Sequence, residues 1–265
     1  MDLHLNDKRA LVTGSSSGLG AKIAERLAAE GAAVVVHGRD EARAAAVAGA
    51  ITDAGGRADA VTGDLGADAG ADAVAGAALA GGPVDILVNN AGAFDVTATW
   101  QGTTADDWAA LYNTNVISAV RAIHRLVPAM RERGWGRVIQ ISSVTGRLPQ
   151  ATQPHYAATN AARGNLAASL SRELRGTGVT SNAVAAGGIL TPANREMLTR
   201  WGREQGMGET WEEIEPRLVA AHGPNDVGRV GRRAEYADLV AFLASPLSGY
   251  ITGANLSVDG GWRDA

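Results

Sequence analysis

Thr13-Gly14-Ser15-Ser16-Ser17-Gly18-Leu19-Gly20 closes a β-rich run, Arg9–Thr13, and opens an Ala-rich helical stretch, Leu19–Glu30. Glycines at this spacing let the backbone come close to a bulky anion. A helix that starts directly behind them aims its unbonded N–H groups and the positive end of its dipole at that anion. A glycine trio alone is also what a ligand-free turn looks like. Here it follows the first strand pattern, precedes a helix pattern and stands in a strand–helix–strand context, and that combination points to a pyrophosphate cradle.

The same alternation continues to the end of the chain. Runs rich in Val and Ile recur at Ala33–His37, Ala58–Thr62, Ile86–Asn89, Arg137–Ser142, Val179–Val184 and Asn255–Val258. They carry few polar residues, as expected of strands buried on both faces of a parallel sheet. Helical stretches fall between them at Glu41–Ala54, Asp68–Ala80, Thr104–Arg133, Pro154–Arg175 and Arg233–Ala244, with Gly31 and Gly134 where helix C-caps belong. Right-handed βαβ units follow. The expected fold is a Rossmann-type doubly wound α/β domain over 1–265, a seven-stranded parallel sheet in the order 3-2-1-4-5-6-7 with helices on both faces. The polar segment Thr191–Val227, with Trp201 and Trp211, breaks the rhythm and reads as an insertion over one end of the sheet.

Composition narrows the function classes. The chain has 265 residues, 46% hydrophobic and 20% charged, enough to bury a large core. It contains no cysteine, which excludes disulfides and thiolate metal sites, and no His/carboxylate cluster with metal-ligand spacing is evident. A net charge of −4 gives no electrostatic footprint for nucleic acid. The opening MDLHLNDKRALVTG is charged and enters a strand at once, unlike a signal or transit peptide, and no apolar run is long enough to span a bilayer, so a cytoplasmic protein is expected. Lysine occurs only at Lys8 and Lys22.

The glycine spacing is G-x-x-x-G-x-G, and with several further motifs in order the chain resembles the short-chain dehydrogenase/reductase family, in the manner of the 3-oxoacyl-ACP reductases. The motifs are Asp64, Asn89-Asn90-Ala91-Gly92, Asn115 in Asn-Val-Ile-Ser, Ser142-Ser143, Tyr156 thirteen residues after Ser143, Asn182-Ala183-Val184 leading to Gly187 and Thr191, and Tyr250-Ile251-Thr252-Gly253 with Val258-Asp259-Gly260-Gly261. The resemblance implies hydride transfer between a nicotinamide cofactor and a carbonyl or alcohol. It makes Ser143 the group that polarises the carbonyl and Tyr156 the proton donor, with Asn115 and position 160 completing the catalytic set. It also implies that the cofactor is held by Gly14, Ser16, Ser17, Gly18, Leu19 and Gly20. Further contacts are implied from Arg39, Asp64 and Leu65, from Asn90, Ala91 and Gly92, from Tyr156 and Asn160, and from Gly187, Ile189 and Thr191. Gly38 stands where an acidic residue would select NAD(H), and Arg39 follows it. This favours NADP(H) over NAD(H), because a guanidinium can pair with the 2′-phosphate. Asp40 argues the other way, and Arg39 also reads as a solvated turn residue.

Two positions depart from the family pattern. The family places a Lys four residues after the Tyr, one turn along the same helix face, and here that position is Asn160. The nearest basic residues are His155 and Arg163. Arg163 lies seven residues past Tyr156, roughly on the same face, and is assigned to a subunit interface or to solvent. Without an adjacent ammonium the phenol keeps its proton more firmly, which favours ketone reduction over alcohol oxidation, and Asn160 remains a candidate to bond the ribose. The second departure is Ala185-Ala186-Gly187, where Pro-Gly is usual, and this is expected to loosen the turn.

Candidate substrate walls are Phe94, Trp100, the loop 147–155, and Met197, Leu198, Trp201, Met207 and Trp211 of the insertion. The insertion residues serve equally well as a lid or as packing. The expected partner is a small carbonyl or alcohol, with neither nucleic acid nor membrane involved, and the expected assembly is a homo-oligomer, dimer or tetramer. The leading reading is an NADP(H)-dependent carbonyl reductase. A non-redox isomerase, dehydratase or cyclase, or a catalytically weakened cofactor-binding homologue, stands as the alternative because of Asn160.

Overall fold

A computed structural model describes residues 1–262. Strands β1 (Arg9–Val12), β2 (Ala33–Gly38), β3 (Arg57–Thr62), β4 (Ile86–Asn89), β5 (Gly136–Ser143), β6 (Val179–Ala186) and β9 (Asn255–Val258) form one parallel sheet in the order β3-β2-β1-β4-β5-β6-β9. This is the expected order. Its last strand is the ninth in the chain because a two-stranded ribbon, β7 (Ile189–Leu190) with β8 (Gly231–Arg232), precedes it. The strand order reverses between β1 and β4. A doubly wound sheet opens a crevice at that point, at the carboxyl ends of its strands.

Helices α1 (Gly18–Ala29), α2 (Glu41–Asp53) and α9 (Arg233–Ala244) cover one face, and α3 (Asp68–Ala80), α5 (Ser118–Glu132) and α6 (Pro154–Glu173) the other. Val12, Val36 and Val88 point into the first layer with Ile23 and Leu27, whereas Leu11, Val35 and Leu87 point into the second with Leu126 and Met130. This period-2 division of near-continuous Val/Leu runs is what buries a central parallel strand on both sides. Each such large side chain removed from water contributes about 1.5–3 kcal/mol. Gly31 (φ +95°) and Gly134 (φ +72°) end α1 and α5 in the left-handed region, as helix-stopping glycines do.

Two expectations are corrected. Ala58–Thr62 is not buried on both faces: β3 is the edge of the sheet, and only Val61 of its six residues is buried. The stretch 104–133 is not one helix. It divides into α4 (Ala105–Tyr112), a π-helical turn (Asn113–Ile117) and α5. Insertions of this kind recur at functional sites because they change which face a helix presents beyond them. Segment 191–227 holds α7 (Pro192–Glu204) and α8 (Trp211–His222), each started by a capping box, Thr191/Asn194 and Thr210/Glu213. No helix among the described residues is long and apolar enough to cross a membrane.

Candidate active site

The glycine-rich turn is held from two sides. The Asn90 amide donates to the carbonyls of Thr13 and Gly14 (both 3.0 Å), and Thr13 Oγ1 accepts from the N–H groups of Asn90 and Ala91 (both 3.0 Å). The fit needs glycine. A Cβ on Gly14, whose φ is +64°, would lie 2.8 Å from Ala91 Cα, and one on Gly20 would lie 2.4 Å from the Asn90 amide nitrogen. Gly18 differs: its φ is +61°, yet nothing lies within 4 Å of where its Cβ would be. Beside it α1 starts at Ser17 with no side-chain cap. The turn is therefore packed against the loop after β4 and open toward the uncapped N-terminus of α1, the shape and polarity that fit a dinucleotide phosphate.

His37, which sequence reasoning missed, is the second support. Its Nδ1 accepts from the Gly14 N–H (3.1 Å), and its Nε2 lies 3.2 Å from the Gly63 carbonyl. The ring is therefore neutral, with its proton on Nε2. Burial pushes its pKa below the ordinary 6.5, although the Gly63 contact and Asp64 pull the other way. The available signal was a lone imidazole among the valines of β2. A further contact not foreseen is Arg233, whose guanidinium donates to the Gly18 carbonyl (3.1 Å).

At the end of β2, a Cβ on Gly38 would fall 2.6 Å from Ser16 Oγ and 2.7 Å from Ser16 Cβ, so Ser16 fills the place an acidic side chain would need. Arg39 is exposed. Asp40 is committed as the N-cap of α2, accepting from the Arg43 N–H (3.0 Å). After β3, Asp64 accepts from the Gly66 N–H (2.9 Å), and Leu65 is buried in the α3–α5 layer.

Ser143 ends β5. It is buried, and its Oγ accepts from the Thr145 N–H (3.3 Å) and lies 3.1 Å from Thr145 Oγ1. Tyr156 lies in the first turn of α6, half-buried, with the Phe94 ring 5.9 Å away. Asn115 sits in the π turn. Its side chain accepts from the Ala93 N–H (2.8 Å) and donates to the Ala93 carbonyl (2.9 Å) and to Thr159 Oγ1 (3.1 Å). The loop after β4 is thereby tied to α6 one turn beyond Tyr156. Asn160 is buried, and its amide donates back to the Tyr156 carbonyl (2.8 Å), the i−4 position of its own helix. One of its amide hydrogens is thus engaged inside α6.

Arg163 overturns its assignment. It meets neither solvent nor a subunit face but is buried in the core of the site. Nε donates to the Asn115 carbonyl (2.6 Å), Nη1 to the Ile141 carbonyl and Nη2 to the Ala91 carbonyl. The i+7 spacing does put it on the face of Tyr156, and that face turns inward. Ala186 also differs from expectation. It belongs to β6, paired with Ser143 on one side and Val258 on the other, so the departure from Pro-Gly extends a strand instead of loosening a turn. Gly187 follows, donating to the Val258 carbonyl (2.9 Å). Ile189 is in β7, and Thr191 caps α7.

On the substrate side, Phe94 and Trp100 are largely exposed, and a row of rings runs Trp100–Trp108–His155 at 5.3 and 5.9 Å. Within 191–227, Trp211 and Ile214 are buried, with Ile214 against Gly202, so they join α7 to α8. Met197 is half exposed. Among the described residues no group of His, Asp or Glu is arranged to hold a metal.

The short chain dehydrogenase family matches residues 8–200. A Bacillus subtilis protein named as an uncharacterized oxidoreductase, YvaG, is 37% identical over 263 residues, covering 98% of each chain. L-sorbose reductase from Gluconobacter frateurii, solved with NADPH and L-sorbose, superposes with a TM-score of 0.91 at 32% identity over 100% of both chains. A 3-oxoacyl (acyl-carrier-protein) reductase from Agrobacterium tumefaciens, solved with NADP bound, gives 0.87 at 37% identity, covering 98% of this chain and 96% of that one. The glycine turn at the sheet's switch point, Ser143 at the end of β5 and Tyr156 at the start of α6 are thus set in a fold shared along the whole chain, and the protein belongs to the short-chain dehydrogenase/reductase family of NAD(P)-dependent oxidoreductases.

Proposed function

We propose that the protein is an NADP(H)-dependent reductase of a small ketone or aldehyde, with Tyr156 as proton donor and Ser143 polarising the carbonyl. The observation that carries the reading is the position of Ser143 at the end of β5 and Tyr156 at the start of α6, with the exposed ring of Phe94 5.9 Å from the tyrosine ring. The preference for the phosphorylated cofactor rests on the Gly38/Ser16 contact, which leaves no room for an acid, and on Arg39 with its neighbour Asp40 turned into a helix cap. NADPH and NADP in the two solved relatives agree with it.

Gly14, Ser16, Ser17, Gly18, Leu19 and Gly20 would hold the pyrophosphate, Arg39 the 2′-phosphate, and Asp64 and Leu65 the adenine. Asn90, Ala91 and Gly92, with Gly187, Ile189 and Thr191, would line the nicotinamide end. When bound, the cofactor supplies the hydride that reduces the carbonyl carbon. Ser143 donates a hydrogen bond to the carbonyl oxygen, and Tyr156 gives that oxygen the proton that completes the alcohol. Asn115 acts by fixing the loop at Ala93 and the helix at Thr159. Phe94 and Trp100 on the β4 side and helices α7 and α8 on the other would bound the space for a medium-sized, fairly apolar carbonyl compound. The enzyme works as a homodimer or homotetramer.

The test is loss of reduced-nicotinamide absorbance against a panel of small ketones and aldehydes. NADPH is expected to be consumed faster than NADH, and Tyr156→Phe to lower kcat by about 100-fold or more. Absence of NADPH binding would sink the proposal. Product formed without nicotinamide oxidation would establish the non-redox alternative in its place.

A further inference from the structure

We propose that the chain carries a second small-molecule site, a cavity enclosed by α7, α8, the β7–β8 ribbon and the end of β9, which takes a neutral, largely apolar ligand. The site stands apart from the reading of Tyr156 as proton donor. Among the described residues, neither Ser143 nor Tyr156 lines the cavity, and no residue of the glycine turn does.

The space is large and its frame is braced. Its volume is about 530 Å³, inside the range of ligand pockets, about 300–1,000 Å³. Protein interiors are otherwise packed nearly as densely as organic crystals, so a void of this size calls for an occupant. The apolar wall is made by Ile189 of β7, Leu198 of α7, Leu218 and Val219 of α8, Val258 of β9, and Trp262. Backbone bonds hold the wall segments apart. The Gly231 N–H donates to the Gly188 carbonyl (2.9 Å), and the Val230 N–H to the Glu215 carboxylate (3.0 Å). The Asn225 amide donates to the carbonyls of Gly223 (3.1 Å) and Arg229 (3.2 Å). Trp262 closes one side. A Cβ on Gly223 would lie 2.6 Å from its ring and one on Gly188 3.6 Å, so the missing side chains let the indole reach from β7 to the end of α8.

The class of ligand follows from what the polar groups of the wall are doing. Arg229 and Glu235 form a two-pronged pair (2.9 and 2.5 Å), and that guanidinium holds the Glu235 carboxyl down to about 2, so both stay charged and cancel each other. Asp259 accepts from the Gly261 N–H (3.0 Å) and faces Arg147 at 3.9 Å. Ser257 is bonded to Arg147. Asn194 donates to the Ile189 carbonyl (2.7 Å) and accepts from the Thr191 N–H (2.7 Å). The Tyr236 hydroxyl donates to the Gly188 carbonyl (2.8 Å), and burial pushes its pKa up, which keeps it neutral. His222 is exposed, with its ring 5.2 Å from Trp201. An ionic ligand would therefore give up its hydration without gaining a free carboxylate or guanidinium. An apolar one exchanges water for aliphatic and indole surface.

The experiment titrates the full chain, with and without saturating NADPH, with the neutral fluorophore N-phenyl-1-naphthylamine. The anionic 8-anilinonaphthalene-1-sulfonate, the same aromatic frame with a sulfonate added, is titrated beside it. One neutral probe per chain is expected to bind whether or not NADPH is present, and the anionic probe to bind about tenfold more weakly or worse. Leu218→Trp fills the cavity from α8 and is expected to weaken the neutral probe about tenfold or more; Val230→Trp does so from the wall before β8 should the first variant not fold. Four results overturn the proposal: no saturable binding, an anionic probe that binds as well as the neutral one, undiminished affinity in a folded filling variant, or displacement of the probe by a carbonyl substrate that the protein reduces. Binding that appears only after removal of residues 263–265 gives the cavity to the chain's own end and overturns it too. A protein that binds the probe but no NADPH keeps this site and loses the reductase reading.

Discussion

Gly38 carries no side chain because Ser16 Oγ sits 2.6 Å from where its Cβ would be. The contact makes cofactor choice a matter of two residues, not one. Arg39→Ala is expected to weaken NADPH binding about tenfold or more, since a charge-assisted hydrogen bond contributes about 1.5–3 kcal/mol, and to leave NADH binding as it was. Gly38→Asp alone should disturb the turn. Combined with Ser16→Gly it should accept the carboxylate and invert the preference toward NADH. Titration calorimetry with both nucleotides checks each variant, and an Arg39→Ala protein with undiminished NADPH affinity would refute the assignment. Arg163 shows the limit of reading residues singly. An arginine in an Ala-rich helix looks solvated, because burying its charge is costly. Only the carbonyls converging from three other segments make that burial tolerable.

At the scale of elements, the glycine turn depends on β2 through His37. The folded state holds this ring neutral, whereas the unfolded chain takes up a proton near the ordinary 6.5. The folded pKa is lowered, so the stability His37 confers is complete above about 6.5 and is lost as pH falls below it. Urea unfolding between pH 7.5 and 5 is expected to show this loss in the unmodified protein. His37→Asn should be less stable at pH 7.5, by about 1–2 kcal/mol for the missing contacts, but should show a flatter dependence. Parallel slopes for the two proteins would remove His37 from the account. The boundaries of α3, α9, β4 and β9 match the sequence reading because a pattern and a stop signal coincide there. The π turn at Asn113–Ile117 was not legible. Its five residues continue the polar and apolar alternation of a helix, and what selects the insertion is the bonding of Asn115 to Ala93 and Thr159, two segments distant in sequence.

At the scale of the molecule, α4 has no buried residue against its own chain, and Tyr112 at its end is exposed. A helix that buries none of its residues fully leaves a face for a neighbour. Light scattering is expected to give two or four times the chain mass of 27.1 kDa, and Ala110→Arg on α4 to lower that mass. A monomer at all concentrations would contradict the expectation.

What the amino-acid order settled by itself was local and periodic: alternating buried strands and helices, left-handed glycines at helix ends, and a glycine turn whose conformation and dipole suit an anion. These follow from backbone sterics and short-range patterning, so they can be read along the line. Tertiary structure alone decided that β3 is an edge, that Asn160 bonds within its own helix, that His37 braces the turn, and that Arg163 lies inward on three backbone carbonyls. Each of these depends on which distant backbone groups arrive within about 3 Å of a side chain, and hydrogen-bond reach of that length exists only once the sheet has brought its strand ends together.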